Sequence, residues 1–274
     1  MFDKPAIQQI QESQTAHVVQ DNILRALTTE GVLALPDSVA TKDLEAYMPK
    51  RRRQRGNFRT SDKASFASYV QEHKEHGATV FIDADHMIAA GILNLGTKET
   101  PGHCDNRAVL ALQKTAGYLA LFNLCSRSIQ TQRDLAEFLE DWASNLFCLD
   151  EAGNTIEPKK AIAAVRKLTV ESMQKVESAQ NTLSASRSTF EQVNATSTEP
   201  IPVRIVFNCA PYFGLSERAI ALRVGVLTSG KDPAFTCRIV NETALGEEMA
   251  QEFAELVKAS LTDTPVAIGT YEAK

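Results

Sequence analysis

Histidines and acidic residues are concentrated between residues 73 and 105, where a metal site or acid–base catalysis could be built. Four of the five histidines of the chain lie there, and His103 and Asp105 flank Cys104. Imidazole, thiolate and carboxylate groups are zinc ligands, and a His/Asp pair can transfer protons. His103 and Asp105 are therefore the candidate catalytic residues. His86, His103 and Asp105 are weaker candidates for metal ligands.

The same residues also fit an ordinary polar turn. The chain contains no H-E-x-x-H or C-x-x-C spacing, which are the patterns typical of zinc sites. Asp and Asn side chains in a Pro-Gly-containing loop commonly bond their own backbone before a strand begins. We therefore expect a shaped turn, with no metal or cofactor bound. The turn remains the first choice for a site if the protein is an enzyme.

The stretch GVLTSGKD, residues 225–232, approaches a phosphate-binding loop. It matches G-x-x-x-x-G-K, but Asp232 stands where a Ser or Thr would bind magnesium. The residues that follow are typical of a strand, whereas a phosphate-binding loop leads into a helix. We interpret the stretch as a hairpin turn between two strands.

Residues 50–63 form a basic segment. It holds seven Lys and Arg residues against one Asp, a local charge of +6, in a chain with net charge −5 and a pI of about 5.6. Up to a helix predicted to start near Asp62 the segment is expected to be a loop, in which arginine forks could bind phosphates and an aromatic ring could stack on a base. The predicted nucleic-acid-binding residues are Lys50, Arg51, Arg52, Arg53, Arg55, Phe58 and Arg59. In the alternative, the loop is only solvated and Phe58 anchors it to the core.

Residues 134–157 form an acidic segment. It contains seven carboxylates and no Lys or Arg, a local charge of −7. The acidic and basic segments are complementary, which predicts a contact within one monomer or self-association between subunits. The residues predicted for self-association are Asp134, Glu137, Glu140 and Asp141. Independent solvation of the two segments is the alternative.

The periodicity of apolar residues predicts an α+β fold, with antiparallel sheets packed by amphipathic helices. Alternation predicts a hairpin over 78–96 and strands over 201–212 and 218–241. The stretches QRDLAEFLEDW and ALGEEMAQEFAELVKASL have helical spacing, and so does a longer stripe that predicts one helix around 158–193. These elements must position the charged segments.

The stretch NATSTEPIP favours a domain boundary. It would separate an α+β region, 1–197, from a β-rich region with a closing helix, 198–274; one continuous domain is the alternative. No leader pattern and no apolar run near the ~20 residues of a membrane helix occur. The five cysteines are scattered, which is typical of reduced proteins. We therefore expect a cytoplasmic protein without a membrane partner.

Four stretches together resemble the YfdQ-like family of uncharacterised bacteriophage and prophage proteins, a domain of unknown function. They are PKRRR…FRTSDKASFASYV, FIDADHMIAAGILNLG, PGHCDNRAVLAL and QRDLAEFLED. The resemblance covers most of the chain in order and is strongest over residues 49–141. It implies a phage-derived gene expressed in a bacterial cytoplasm, near replication or recombination genes. It implies no catalytic residue.

Three functions follow from these observations, in order of preference. The first is a non-enzymatic homo-oligomer that binds single- or double-stranded DNA through the basic segment, as an accessory to replication or recombination. The second is a self-assembling structural protein, or a defence-countering protein that captures a host protein, without nucleic-acid binding. The third is a metal-dependent hydrolase or nuclease that uses the His103/Asp105 loop. The first two functions are compatible.

Overall fold

The structure is a computed structural model that describes residues 20–21, 45–168, 200–227 and 234–272. Its contacts divide the chain into two units, Met1–Gln54 and Arg55–Lys274. The first unit contains a 3₁₀ turn at Glu45–Tyr47. The Glu45 carboxylate accepts a hydrogen bond from the backbone nitrogen of Arg52 at 3.4 Å. The sheets and helices numbered below belong to the second unit.

The first sheet has five strands in the order β1-β4-β3-β2-β11. The predicted hairpin forms its centre, because β2 and β3 are antiparallel and β4 adds antiparallel to β3. The edge strands run parallel to their neighbours, β1 beside β4 and β11 beside β2. The strands are β1 (Gly56–Thr60), β2 (Thr79–Asp83), β3 (Ile88–Ile92), β4 (Asn106–Ala111) and β11 (Val266–Ile268).

The second sheet has six antiparallel strands in the order β5-β10-β9-β8-β6-β7. They are β5 (Gln130–Thr131), β6 (Leu146–Leu149), β7 (Thr155–Ile156), β8 (Arg204–Cys209), β9 (Arg218–Leu227) and β10 (Ala234–Ile239). Gly225 lies inside β9, opposite Thr236 of β10. The motif that approaches a phosphate-binding loop therefore joins two strands, as predicted. The rest of the motif, within residues 228–233, lies outside the described residues.

Five helices are described, and with the two sheets they confirm the α+β class. They are α1 (Lys63–His73), α2 (Ala116–Ser126), α3 (Gln132–Asp141), α4 (Pro158–Lys167) and α5 (Glu242–Ser260). Local caps explain where two of them begin. Asp62 accepts from the backbone nitrogen of Ser65 at 2.7 Å at the start of α1, and Thr131 forms a capping box with Asp134 at the start of α3. Such caps each stabilise a helix by about 1 kcal/mol.

One apolar core lies between the inner faces of the sheets and the helices. Phe66 of α1, Leu139 of α3 and Phe253 of α5 are almost fully buried in it. The rings of Phe138 and Trp142 pack on Phe207 of β8, with centroid distances of 5.5 and 5.6 Å. Each such side chain contributes about 1.5–3 kcal/mol to folding. Alternate residues of the strands consequently face away from the core.

Two predicted elements differ from the structure. Residues 56–60, predicted as part of a loop, form β1, because pairing with β4 satisfies their backbone and Phe58 turns inward. The predicted single helix around 158–193 is wrong, since α4 ends at Lys167 and Leu168 is extended. Leu168 is 4% exposed, so the chain leaves the helix to bury this side chain in the core. Residues 169–199 lie outside the described residues.

Strands on both sides of residue 197 share the same sheets. β8 pairs with β6, and β11 pairs with β2. The residues after the predicted boundary therefore complete sheets that the earlier residues begin.

Candidate nucleic-acid interface

The loop around His103 is a turn held by its own backbone and by the side chain of Asn94. The Asn94 amide donates to the Asp105 carboxylate at 2.8 Å and accepts from the backbone nitrogen of Asn106 at 3.0 Å. The backbone nitrogen of Gly102 donates to the Leu95 carbonyl at 2.8 Å. Asp105 thus helps to hold the turn, whereas His103 is exposed. This geometry is that of a shaped turn entering β4.

His86 lies at the other end of the first sheet. Its Nδ1 is 2.9 Å from both carboxylate oxygens of Asp83, and this hydrogen bond and the charge of Asp83 raise the pKa of His86. The five residues of β3 separate His86 from the His103 turn by about 15 Å. The weak metal candidates are therefore not brought together. Within the described ranges, no group of three His, Cys, Asp or Glu residues could hold a metal ion.

The basic segment is divided between the two units at residue 54. The aromatic ring of this segment does not face outward. Phe58 is half-buried and stacks on Tyr69, with a centroid distance of 4.3 Å and an angle of 18° between the rings. Phe58 therefore anchors β1 to α1. The exposed basic residues are Lys50, Arg51, Arg52, Arg55 and Arg59, while Arg53 is half-buried.

Nearby arginines balance most of the acidic residues predicted for self-association. Arg133 lies 2.5 Å from Glu137, and Arg166 of α4 binds Glu140 through two nitrogens at 2.8 and 2.9 Å. Asp134 caps its own helix and lies 3.7 Å from Arg127, whereas Asp141 is exposed. The acidic segment thus has local counter-charges that lie just outside its sequence limits. The i, i+4 spacing of Arg133 and Glu137 is a sequence signal for one of them.

Three arginines form a row across the outer face of the second sheet. Arg204 of β8 lies opposite Arg223 of β9, and Arg223 lies opposite Arg238 of β10. All three side chains are exposed, and none makes an ion pair with another described residue. Opposite residues in antiparallel strands have Cβ atoms about 5 Å apart. We call these three residues the arginine row.

The described strand positions around the arginine row carry no carboxylate. Alternation along β8, β9 and β10 turns small or uncharged side chains outward. Phe147 of β6 is 53% exposed and lies opposite Val206, diagonal to Arg204 at about 7 Å. Arg218 differs from the row, because it lies 2.6 Å from the Glu252 carboxylate of α5. Among the described residues, the outer face therefore combines three cations that have no carboxylate partner with one exposed aromatic ring.

Comparison with protein families places the chain among conserved proteins. A family profile described as "Uncharacterized conserved protein (DUF2303)" matches residues 3–271. The chain belongs to the DUF2303 family. The predicted membership of an uncharacterised family is confirmed at this level, and the match extends across both units of this DUF2303 chain.

Two further comparisons bear on the DUF2303 chain. No curated protein and no solved structure matches it. Among the helices that the structure describes, none has the length and apolar character needed to cross a membrane.

The arginine row was missed because sheet register is not visible in a sequence. In the DUF2303 chain each arginine is a lone polar position between apolar residues, in the stretches VRIV, LRVG and CRIV. Such a position predicts only that the side chain faces solvent. The recurrence of this pattern in three neighbouring strands is the one available signal. Pairing then brings the three positions side by side.

Replacing Arg223 with Thr is expected to stabilise the protein by about 0.5–1.5 kcal/mol. Arg223 has an arginine on each side, so the change removes two repulsive cross-strand contacts and introduces a residue that favours strands. Urea denaturation measures the gain, which should shrink as salt screens the charges. Arg59→Thr is the matched control, because Arg59 lies opposite Val109. An equal gain in both variants would contradict like-charge repulsion as the cause.

Proposed function

We propose that this DUF2303 protein binds single-stranded nucleic acid on the outer face of its second sheet. The arginine row is the observation that carries the proposal. Like charges held directly opposite one another destabilise a sheet, and a polyanion that binds across the row relieves this repulsion. Guanidinium groups also match phosphate oxygens with two hydrogen bonds each.

The exposed ring of Phe147 favours a single strand over a duplex. Bases of a single strand are free to stack on an aromatic side chain, and open sheet faces bind RNA and DNA strands in this way. In a duplex the bases are already stacked, and the face of a six-stranded sheet does not enter the major groove as a helix does. Phe147 lies close enough to Arg204 for one strand to contact both residues.

The basic segment is a second candidate for phosphate binding. Its exposed residues include Lys50, Arg51 and Arg52 before β1 and Arg59 within it. In this proposal Phe58 packs against α1 and does not contact bases. The variant Arg51→Ala/Arg52→Ala/Arg53→Ala separates the contribution of the basic segment from that of the arginine row.

The proposed biological setting rests on the resemblance to the YfdQ-like phage and prophage proteins. In that setting the protein is a cytoplasmic, non-enzymatic accessory to phage DNA replication or recombination. The His103 turn is not part of the proposal, because Asp105 is used to hold Asn94. Host-protein capture is the outcome to consider if nucleic acid does not bind.

Fluorescence anisotropy with a labelled oligo-dT of about 16 nucleotides and a duplex of the same length tests the proposal. We expect tighter binding to the single strand. Three phosphate contacts should give a slope of log affinity against log salt of about −2, at roughly 0.7 per phosphate. Absence of binding at the lowest salt would overturn the proposal. Tighter binding to the duplex would overturn the choice of a single strand.

A further inference from the structure

We propose that the outward face of α2 is a two-fold contact with a second copy of this chain. The eleven residues of α2 include no charged side chain. Its inner side, with Tyr118, Leu121 and Leu124, is buried in the core, yet Leu119 and Phe122 are 47% and 38% exposed. Helices that are apolar on all sides are normally covered on all sides.

A cavity next to Phe122 provides the complementary shape. It has a volume of about 480 Å³ and is lined by Phe122, Cys125, Ser126, Arg238, Ile239 and Glu242. Leu119, Phe122 and Ser126 lie on one side of the helix by their spacing. When two copies of α2 pair antiparallel around Phe122, Leu119 of one copy meets the Cys125–Ser126 turn of the other. The projecting side chains of α2 and the cavity therefore lie on the same surface of the molecule. A two-fold contact requires this, because both copies use the same surface.

The charges that flank α2 identify a second copy as the occupant. Lys114 precedes the helix, and its Nζ lies 3.6 Å from the centre of the Phe122 ring. Glu242 lines the cavity beside the C-terminal half of the helix. Antiparallel pairing brings Lys114 of each copy toward Glu242 of the other. Arg238 lines the same cavity, but it belongs to the arginine row.

This contact uses none of the acidic residues predicted for self-association. Three of those four carboxylates already have arginine partners, whereas the α2 face is apolar and exposed. The proposed contact thus gives the predicted homo-oligomer a defined interface, the exposed face of α2. Its failure would leave the proposal for the arginine row unchanged, because the contact is argued from α2 and its flanking charges, and only Arg238 of the arginine row borders it.

Sedimentation velocity of the full chain at micromolar concentration tests the contact. The chain has a mass of 30.0 kDa, and we expect the wild type to sediment with at least twice that mass. Leu119→Glu/Phe122→Glu should sediment as a monomer with an unchanged circular dichroism spectrum, because both side chains are exposed. Phe147→Glu, which changes an exposed ring on another face, should remain associated. A monomeric wild type, or association that survives in the double variant, would overturn the proposal.

A charge exchange keeps the test decisive if the double variant fails to fold. Lys114→Glu and Glu242→Lys should each weaken self-association at least tenfold, and the two changes together should restore it. Mixing the two single variants should also restore association, which is expected only if the two residues meet between copies, because within one chain both lie near Phe122. Full association in both single variants, or none in the combined variant, would count against the contact.

Discussion

The variant Arg204→Gln/Arg223→Gln/Arg238→Gln is expected to bind single-stranded DNA at least about a hundredfold more weakly than the wild type. A hydrogen bond to a charged group contributes a net of about 1.5–3 kcal/mol, and a hundredfold change corresponds to about 2.7 kcal/mol. Three lost contacts exceed this value even if each is weak. The fold should be retained, because the three side chains are exposed and their mutual repulsion is removed. Anisotropy titrations at ~0.1 M salt measure the effect.

The salt dependence and a charge-matched variant identify the source of the loss. The slope of log affinity against log salt should fall by about 2 in the triple variant. Lys159→Gln/Lys160→Gln/Lys167→Gln removes the same three charges from exposed positions of α4 and should retain most of the affinity. Equal losses in the two variants would show a diffuse field effect. A loss confined to Arg51→Ala/Arg52→Ala/Arg53→Ala would assign binding to the basic segment.

Gly102→Ala is expected to destabilise the protein by at least about 3 kcal/mol. A Cβ atom at this position would lie 1.9 Å from the Asn94 carbonyl oxygen and 2.8 Å from its carbon. These are backbone atoms, so the overlap cannot be relieved by turning a side chain. The Asn94 side chain also binds Asp105 and the backbone of Asn106. A shift of Asn94 would therefore disturb the whole turn, which places the change among the severe substitutions.

Gly246→Ala is the matched control for the added methyl group. Gly246 lies in α5, and apart from its chain neighbours and the backbone of its own helix no atom lies within 4 Å of the position its Cβ would take. Alanine is favoured over glycine in a helix by about 1 kcal/mol, so this variant should be slightly more stable than the wild type. Urea denaturation of both variants gives the comparison. A loss below about 1 kcal/mol in Gly102→Ala would show that the turn adjusts freely.

The elements that could be predicted from the sequence are those determined by neighbouring residues. α3 follows from the spacing of Leu135, Phe138 and Leu139. The first hairpin follows from the alternation before its turn and the apolar run after it, and α5 from its apolar stripe. In each case side chains a few residues apart decide which face is buried. No distant partner is needed to make the prediction.

The remaining elements depend on partners far away in the sequence. β1 is polar and begins with Gly56, so only its pairing with β4 makes it a strand. α4 ends because the core receives Leu168. The same reasoning applies to the sites. The arginine row requires the register of three strands, whereas His86 and His103 are close in sequence and yet lie at opposite ends of β3.

The pairing of β11 with β2 has a consequence for synthesis on the ribosome. β2 and its hairpin emerge early, but their neighbour is complete only once residue 268 has been translated. Until then the nascent chain exposes an unpaired strand edge, which can pair with other chains. The second sheet is also completed late, because β5 pairs with β10, which is translated about 100 residues after it. The second unit therefore cannot fold in separate parts during translation. A chain released before its last strand has been translated would be prone to aggregate.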